Sequence, residues 1–96
     1  MTAYLVVDSH LTDPSLYEQY KLQAKPLAEQ FGGEYLARGG PMAVKGSALW
    51  SPVRMVLIRF PSVQQAEAFY ESPAYQKVLQ ISRQSAQRTV VILEGL

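Results

Sequence analysis

Residues 62–75 read SVQQAEAFYESPAY and contain two helix-start signals, at Ser62 and at Ser72. Ser62 and Gln65 have the spacing of a capping box, in which the serine hydroxyl accepts a backbone N–H three residues on and the glutamine side chain reaches back. Ser72 is followed by Pro73, which has no N–H to lose and supplies the first helical φ angle. The stretch therefore predicts a short helix, a change of direction and a second helix.

Strands are predicted on both sides of this helical stretch. Residues 55–58 and 89–93 are almost continuously apolar and rich in branched side chains, which is typical of buried strands. Residues 55–93 are therefore predicted to form one β-α-β unit.

The first half of the chain repeats the same layout. Residues 3–7 are apolar at odd and even positions alike, and Asp13 followed by Pro14 is typical of a helix N-cap and first helical position. The next strand is predicted at residues 34–38. The order is thus β-α-β followed by β-α-β.

Two features of the first half predict interruptions. Pro26 lies inside the helical pattern, where it removes a backbone donor and crowds the carbonyl four residues earlier, so we expect a kink or break near residues 23–25. Gly32-Gly33 is expected to end the helix in a left-handed turn. Beyond Gly39-Gly40-Pro41, residues 42–45 are interpreted as a further short edge strand.

Composition narrows the classes of protein. At 96 residues, the chain is predicted to form a single domain over residues 1–96. The net charge of +1 comes from interleaved acids and bases, so no nucleic-acid partner is expected. Cysteine is absent, which rules out disulfides and thiolate metal sites and favours a cytoplasmic location. No apolar run approaches the roughly 20 residues of a membrane helix, so no membrane partner is expected.

The predicted fold class is α+β, a ferredoxin-like βαββαβ protomer with an antiparallel sheet and the helices on one face. The other sheet face is left without cover, although its strands are apolar on both sides. Pairing of two such faces in a homodimer would form a dimeric α+β barrel and bury both.

A family resemblance rests on four linked motifs. These are Asp13-Pro14-x-x-Tyr17-x-x-Tyr20, then Phe31-Gly32-Gly33-x-Tyr35-Leu36-x-Arg38-Gly39-Gly40, then Arg54-x-Val56 leading to Phe60-Pro61-Ser62, and Ala66-x-x-Phe69-Tyr70-x-Ser72-Pro73-x-Tyr75. In this order they resemble the family of roughly hundred-residue bacterial proteins classed as a domain of unknown function within the dimeric α+β barrel superfamily. The resemblance implies a ferredoxin-like protomer, a barrel dimer and a cleft between sheet and helices, and it implies no established reaction.

Arginines are the first candidates for binding. Arg54 and Arg59 lie on opposite faces of their predicted strand, so one of them must point toward the helices or into the barrel, where it needs a carboxylate from the protein or from a ligand. Arg38 precedes Gly39-Gly40, where a bulge would aim its side chain inward. For Arg38 both an anion site and a structural salt bridge stay open.

Tyrosines are the second candidates. Tyr17, Tyr20, Tyr35, Tyr70 and Tyr75 bring large apolar rings with hydroxyls that need partners when buried. They are interpreted either as core and interface packing or as the lining of a small pocket. The candidate ligand-binding set is therefore Arg38, Arg54, Tyr17, Tyr20 and Tyr70.

Two polar residues near the first strand carry weaker expectations. His10 is the only histidine and would be the ligand in a haem or metal protein, or otherwise a loop side chain. Asp8 interrupts an apolar strand and is expected either to pair with an arginine or to lie exposed at the strand end.

The sequence leaves three functions open. The first is a small-molecule-binding protein or cofactor-independent enzyme that takes a small organic anion or aromatic metabolite in the cleft. The second is a structural or interaction dimer module without a ligand, and the third is a haem or metal binder through His10. No cofactor is predicted and no catalytic residue is assigned, because no GxSxG, phosphate-loop, HExxH or nucleotide-binding motif occurs.

Overall fold

Seven secondary-structure elements make up the fold, which is described here from a computed structural model of residues 1–96. They are β1 (Ala3–Leu11), α1 (Pro14–Gln30), β2 (Glu34–Arg38), β3 (Met55–Phe60), α2 (Val63–Glu71), α3 (Pro73–Ser85) and β4 (Ala86–Glu94). No helix combines the length and the apolar character needed to cross a bilayer.

The strands form one four-stranded sheet in the order β2-β3-β1-β4, and every neighbouring pair is antiparallel. β1 lies in the interior of the sheet, where Val7 is opposite Val56 of β3 on one side and Val90 of β4 on the other. The order and direction of the strands confirm the predicted ferredoxin-like α+β fold.

One face of the sheet carries the core. Along β1, Ala3, Leu5, Val7 and Ser9 are buried while the residues between them are partly exposed. The buried set packs under the helices, because alternate side chains of a strand share a face. On the other face, Val91 and Leu93 remain 49% and 58% exposed.

Local capping fixes the ends of α1. The Asp13 carboxylate accepts the backbone N–H of Leu16 at 3.1 Å, as predicted. At the other end, the N–H groups of Gly32 and Gly33 reach the carbonyls of Glu29 and Ala28, and Gly32 adopts a φ of +88°. This is the Schellman arrangement that a left-handed glycine permits.

The expected break near residues 23–25 is wrong, because α1 continues through Pro26 as one helix. Pro26 and Leu22, whose carbonyl would accept from residue 26 in a regular helix, are both exposed. Water can therefore satisfy the carbonyl that the proline leaves free.

Ser72 separates α2 from α3, as predicted. Its hydroxyl accepts the N–H of Tyr75 at 3.2 Å and donates to the carbonyl of Phe69 at 2.8 Å. At the start of α2, Ser62 accepts the N–H of Gln65 at 3.1 Å, but the Gln65 amide donates to the carbonyl of Phe31. The reciprocal half of the predicted capping box is therefore wrong, since the glutamine joins α2 to the end of α1.

The segment between β2 and β3 contains no regular structure, so the predicted edge strand at residues 42–45 is also wrong. Residues 41–50 are exposed, and β2 pairs only with β3. A strand needs a paired neighbour to satisfy its backbone groups, and this segment has none.

Asp8 anchors the end of that segment. Its carboxylate accepts from Trp50 Nε1 at 2.9 Å and from the backbone N–H groups of Val53 and Arg54 at 2.9 and 3.0 Å. Desolvation raises the pKa of Asp8, but these hydrogen bonds outweigh it, so the pKa lies below its usual value. Neither expectation for Asp8 is met, because it binds a loop rather than an arginine side chain or solvent alone.

Replacing Ser72 by alanine is expected to lower the free energy of unfolding by about 0.5–2 kcal/mol, because the N–H of Tyr75 loses its acceptor. Ser51→Ala is the matched control, since Ser51 is exposed and lies in the irregular segment. Urea unfolding measures both. Equal losses for the two variants would show that Ser72 does not act as a cap.

Candidate functional site

A cleft lies between the helices and the covered face of the sheet. Its floor is apolar and includes Leu5, Val7, Val56 and Ile58. It encloses a cavity of about 20 Å³, which is room for about one water molecule. The walls around this cavity are tyrosines and arginines.

Four tyrosines line the cavity: Tyr17, Tyr20, Tyr35 and Tyr75. The hydroxyls of Tyr20 and Tyr75 form a buried hydrogen bond of 2.6 Å, and the ring of Tyr17 lies 5.0 Å from that of Tyr20. Tyr70 does not line this cavity but a neighbouring groove, and its ring centroid lies 5.1 Å from that of Tyr75. Of the predicted set, Tyr70 is therefore the residue that the structure does not bring to the cavity wall.

Burial raises the pKa of two of these tyrosines, Tyr20 and Tyr35. It raises the pKa of Tyr20 far above the usual range, with a further contribution from the adjacent Tyr75. Burial likewise raises the pKa of Tyr35 to about 12. Both phenols therefore keep their protons near neutral pH and can donate hydrogen bonds.

A bulge in β2 directs Arg38 into the cleft. The pairing with β3 shifts between Tyr35 and Ala37, so one extra residue, Leu36, lies in the strand. Tyr35 and Arg38 consequently share a face, although residues three apart normally face opposite sides. The inward direction was predicted, but the bulge occurs at Leu36 rather than at Gly39-Gly40.

Arg38 has no carboxylate partner, so of the two alternatives left open for it the structural salt bridge is wrong. Its Nη2 donates to the backbone carbonyl of Lys21 at 3.0 Å, and its guanidinium lies 4.9 Å from the ring centroid of Tyr35. Its remaining donors are available at the cleft.

Arg54 reaches the same cavity and stacks over Tyr17 at 5.6 Å. Gly39, with a φ of +70°, makes room for it, since a Cβ at this position would lie 2.7 Å from Arg54 Nε. Arg59 lies on the opposite face and pairs with Glu34 at 2.6 Å. The prediction that Arg54 and Arg59 face opposite sides is confirmed.

Arg88 is the site residue that sequence reasoning missed. It projects from β4 into the cavity, where its guanidinium lies 4.9 Å from the ring centroid of Tyr20 and Nη2 donates to the Tyr75 hydroxyl at 3.4 Å. Its Nε and Nη1 are buried without a partner. The sequence does contain a signal for this position. Arg88 lies two residues before Val90 and four before Ile92, so it shares the face of β4 with which these two residues pack against the core.

Ion pairing within the chain does not neutralise these arginines. The two salt bridges are Lys21 with Glu18 and Arg59 with Glu34, and neither includes a cleft arginine. Three guanidinium groups, those of Arg38, Arg54 and Arg88, thus converge on an apolar cleft without a carboxylate. Such an arrangement can bind an anion.

His10 lies apart from the cavity. It is exposed near the end of β1 and lines an open, mostly polar groove with Asp8 and Gln87. No group of three or more histidine or acidic side chains is placed to hold a metal ion. Arg88 lines this groove as well as the cavity, but no tyrosine of the cleft lines it and His10 does not line the cavity.

Comparison with known proteins gives one family and several similar folds. The model of the family described as Domain of unknown function (DUF1330) matches residues 2–96. A protein of unknown function from Rhodopseudomonas palustris has a similar structure at 18% identity, with a TM-score of 0.75 over 99% of this chain and 82% of the other. No curated protein matches the sequence.

Two further solved structures share the fold. A dimeric ferredoxin-like protein of unknown function from Jannaschia sp. CCS1 matches at 17% identity and a TM-score of 0.76, over 99% of this chain and 100% of the other. SnoaB, a cofactor-independent oxygenase from Streptomyces nogalater, matches at 6% identity and a TM-score of 0.71, over 99% of this chain and 93% of the other. At these identities the likeness shows the ferredoxin-like fold alone.

The raised pKa of Tyr35 predicts a loss of stability in alkali. The folded state holds this proton more tightly than the unfolded chain, whose tyrosines titrate near 10. Between about pH 10 and the folded value of about 12, Tyr35 should therefore contribute a fall in the free energy of unfolding of up to about 1.4 kcal/mol per pH unit, to which Tyr20 and Tyr70, whose pKa values are also raised, add their own. Urea unfolding across this range measures the slope. In Tyr35→Phe the slope should be smaller, and an unchanged slope would contradict the assignment.

Proposed function

Because the match over residues 2–96 places this chain in the DUF1330 family, whose function is unknown, we propose a function from the cleft: it binds a small organic anion, including aromatic carboxylates. Arg38 and Arg54 are the polar anchors, and Tyr17 and Tyr20 are the walls. Tyr70 supports the site from behind Tyr75. The proposal covers a binding protein and a cofactor-independent enzyme alike, since both need an anchored ligand.

The observation that carries this proposal is the absence of any carboxylate partner for the cleft arginines. A guanidinium that loses water needs compensation from an anion or from several acceptors. The rings of Tyr17 and Tyr35 compensate the faces of Arg54 and Arg38, but stacking leaves the N–H groups at the guanidinium edge unused. That edge matches a planar carboxylate, which it can bind through two parallel hydrogen bonds.

The small size of the cavity sets a condition on binding. With about 20 Å³ enclosed, a ligand larger than water can enter only if the side chains at the mouth move. Arg38 and Arg54 are only partly buried, so their long side chains can swing outward.

The same small volume favours a second candidate function, a structural dimer module whose cleft is filled by its own side chains.

Arg38→Met separates these two functions. The variant keeps much of the side chain's packing and removes its charge. Because Arg38 has no carboxylate partner, the free protein is expected to be as stable as the parent or more so, while carboxylate binding weakens about 10–100-fold. Thermal shift and calorimetric titration with acetate, benzoate and succinate measure both effects.

Arg59→Met is the matched control, since Arg59 pairs with Glu34 on the other face and should leave binding unchanged. A parent protein that binds none of these anions would favour the structural module. Equal binding by the parent and Arg38→Met would remove Arg38 from the site.

We also propose that the chain forms a homodimer through the sheet face opposite the helices, giving a dimeric α+β barrel. That face bears an apolar groove of about 450 Å³ whose lining includes Val6, Met55, Val91, Leu93 and Trp50. Leu93 and Trp50 are 58% and 56% exposed, respectively. The Jannaschia protein, which shares the fold, is described as dimeric. Association of two copies would remove this apolar surface from water.

Leu57→Asp is expected to convert the dimer to a monomer, because Leu57 lies on the uncovered face and a carboxylate there would be buried without a partner. Light scattering should give a molar mass of twice 10.7 kDa for the parent protein and of 10.7 kDa for the variant. Phe60→Asp is the contrasting change, since Phe60 is buried under the helices away from the cleft arginines and its replacement should unfold the protomer. A monomeric parent at micromolar concentration would overturn the proposed assembly.

A further inference from the structure

We propose that Arg88, Tyr20 and Tyr75 form a second anion-binding position at the inner end of the cleft, so that the ligand is a small dicarboxylate. This inference rests on the proposed function and deepens it. One carboxylate would bind Arg38 and Arg54, and the other would bind the inner position. The three inner residues line the same cavity as Arg38 and Arg54.

The hydroxyls of Tyr20 and Tyr75 carry two hydrogens, but the chain offers an acceptor for only one of them. Tyr20 and Tyr75 share a single hydrogen bond of 2.6 Å, which uses the hydrogen of one hydroxyl. The further hydrogen bond at this pair comes from Arg88 Nη2, which donates to the Tyr75 oxygen. Whichever phenol donates to the other, the second phenolic hydrogen has no acceptor within the chain.

Arg88 adds more donors without partners. Its Nε and Nη1 are buried and make no hydrogen bond, although almost all buried polar groups in proteins are paired. Its guanidinium face lies over the ring of Tyr20, which leaves the edge free. The inner end of the cleft is therefore a buried group of donors that requires an acceptor from outside the chain.

A carboxylate suits this position better than water does. Its oxygens accept several hydrogen bonds at once and need no acceptor in return, and its charge complements Arg88. Burial raises the pKa of Tyr20, which keeps that phenol protonated. The cavity of about 20 Å³ has room for about one water molecule, so it can take a carboxylate oxygen while the rest of the ligand extends toward the mouth.

Charge also favours a ligand with two carboxylates. Three arginines line the cavity without an acidic partner, whereas Lys21, which also lines it, pairs with Glu18. A monocarboxylate would neutralise one guanidinium and leave the inner one buried and unpaired. A dicarboxylate compensates both ends of the cleft.

Pairs of acids with equal chain length test the inference. Calorimetric titration of the parent protein compares propionate with malonate, butyrate with succinate, and valerate with glutarate at about pH 7.5, where both carboxylates are ionised. At least one diacid should bind about tenfold or more tightly than its monoacid partner. In Arg88→Met this advantage should fall to about twofold or less while monoacid affinity stays within about twofold of the parent.

The double variant Tyr20→Phe/Tyr75→Phe provides the same comparison if Arg88→Met does not fold, because it keeps both rings and removes both phenolic donors. It should reduce the diacid advantage at least about threefold. Equal binding of monoacids and diacids by the parent would overturn the dicarboxylate inference and leave the proposed function standing. A diacid advantage that persists in Arg88→Met would overturn it too. Absence of binding by either class would overturn both.

Discussion

A sheet has two faces, and the helices of this chain cover only one. β1 lies in the sheet interior and is paired on both sides, with β3 and with β4, so its alternate residues must belong to two different environments. The odd positions of β1 are buried under the helices, and Val6 on the other face contributes to an open apolar groove. The position of the cleft and the apolar character of the opposite surface both follow from this unequal cover.

Local signals allowed most of the fold to be predicted. The caps at Asp13 and Ser72, and the glycine turn after α1, depend on atoms within three to five residues, so the sequence alone identifies them. Two predictions failed because they depended on distant surroundings. The helix tolerates Pro26 on its exposed side, and residues 42–45 lack a neighbouring strand with which to pair.

The candidate site was predicted only in part, because some of its contacts also depend on parts of the chain that are distant in sequence. Arg38, Arg54, Tyr17 and Tyr20 do lie around one cavity, as motif spacing and strand parity suggested. Arg88 was readable from the alternation of β4, but its significance depends on contacts with tyrosines from two helices that only the folded chain brings together. Tyr70 lies in α2 and packs against Tyr75 of α3 instead of lining the cavity, and the packing of one helix against another is not a property of either helix alone.

The contact between Asp8 and Trp50 gives the molecule an intrinsic optical probe. Trp50 is the only tryptophan of the chain, and the hydrogen bond from its indole to Asp8 holds it beside the apolar groove of the uncovered face. Indole emission moves to shorter wavelength when the ring leaves water. The fluorescence of the unlabelled protein therefore reports whether that face is wet or covered.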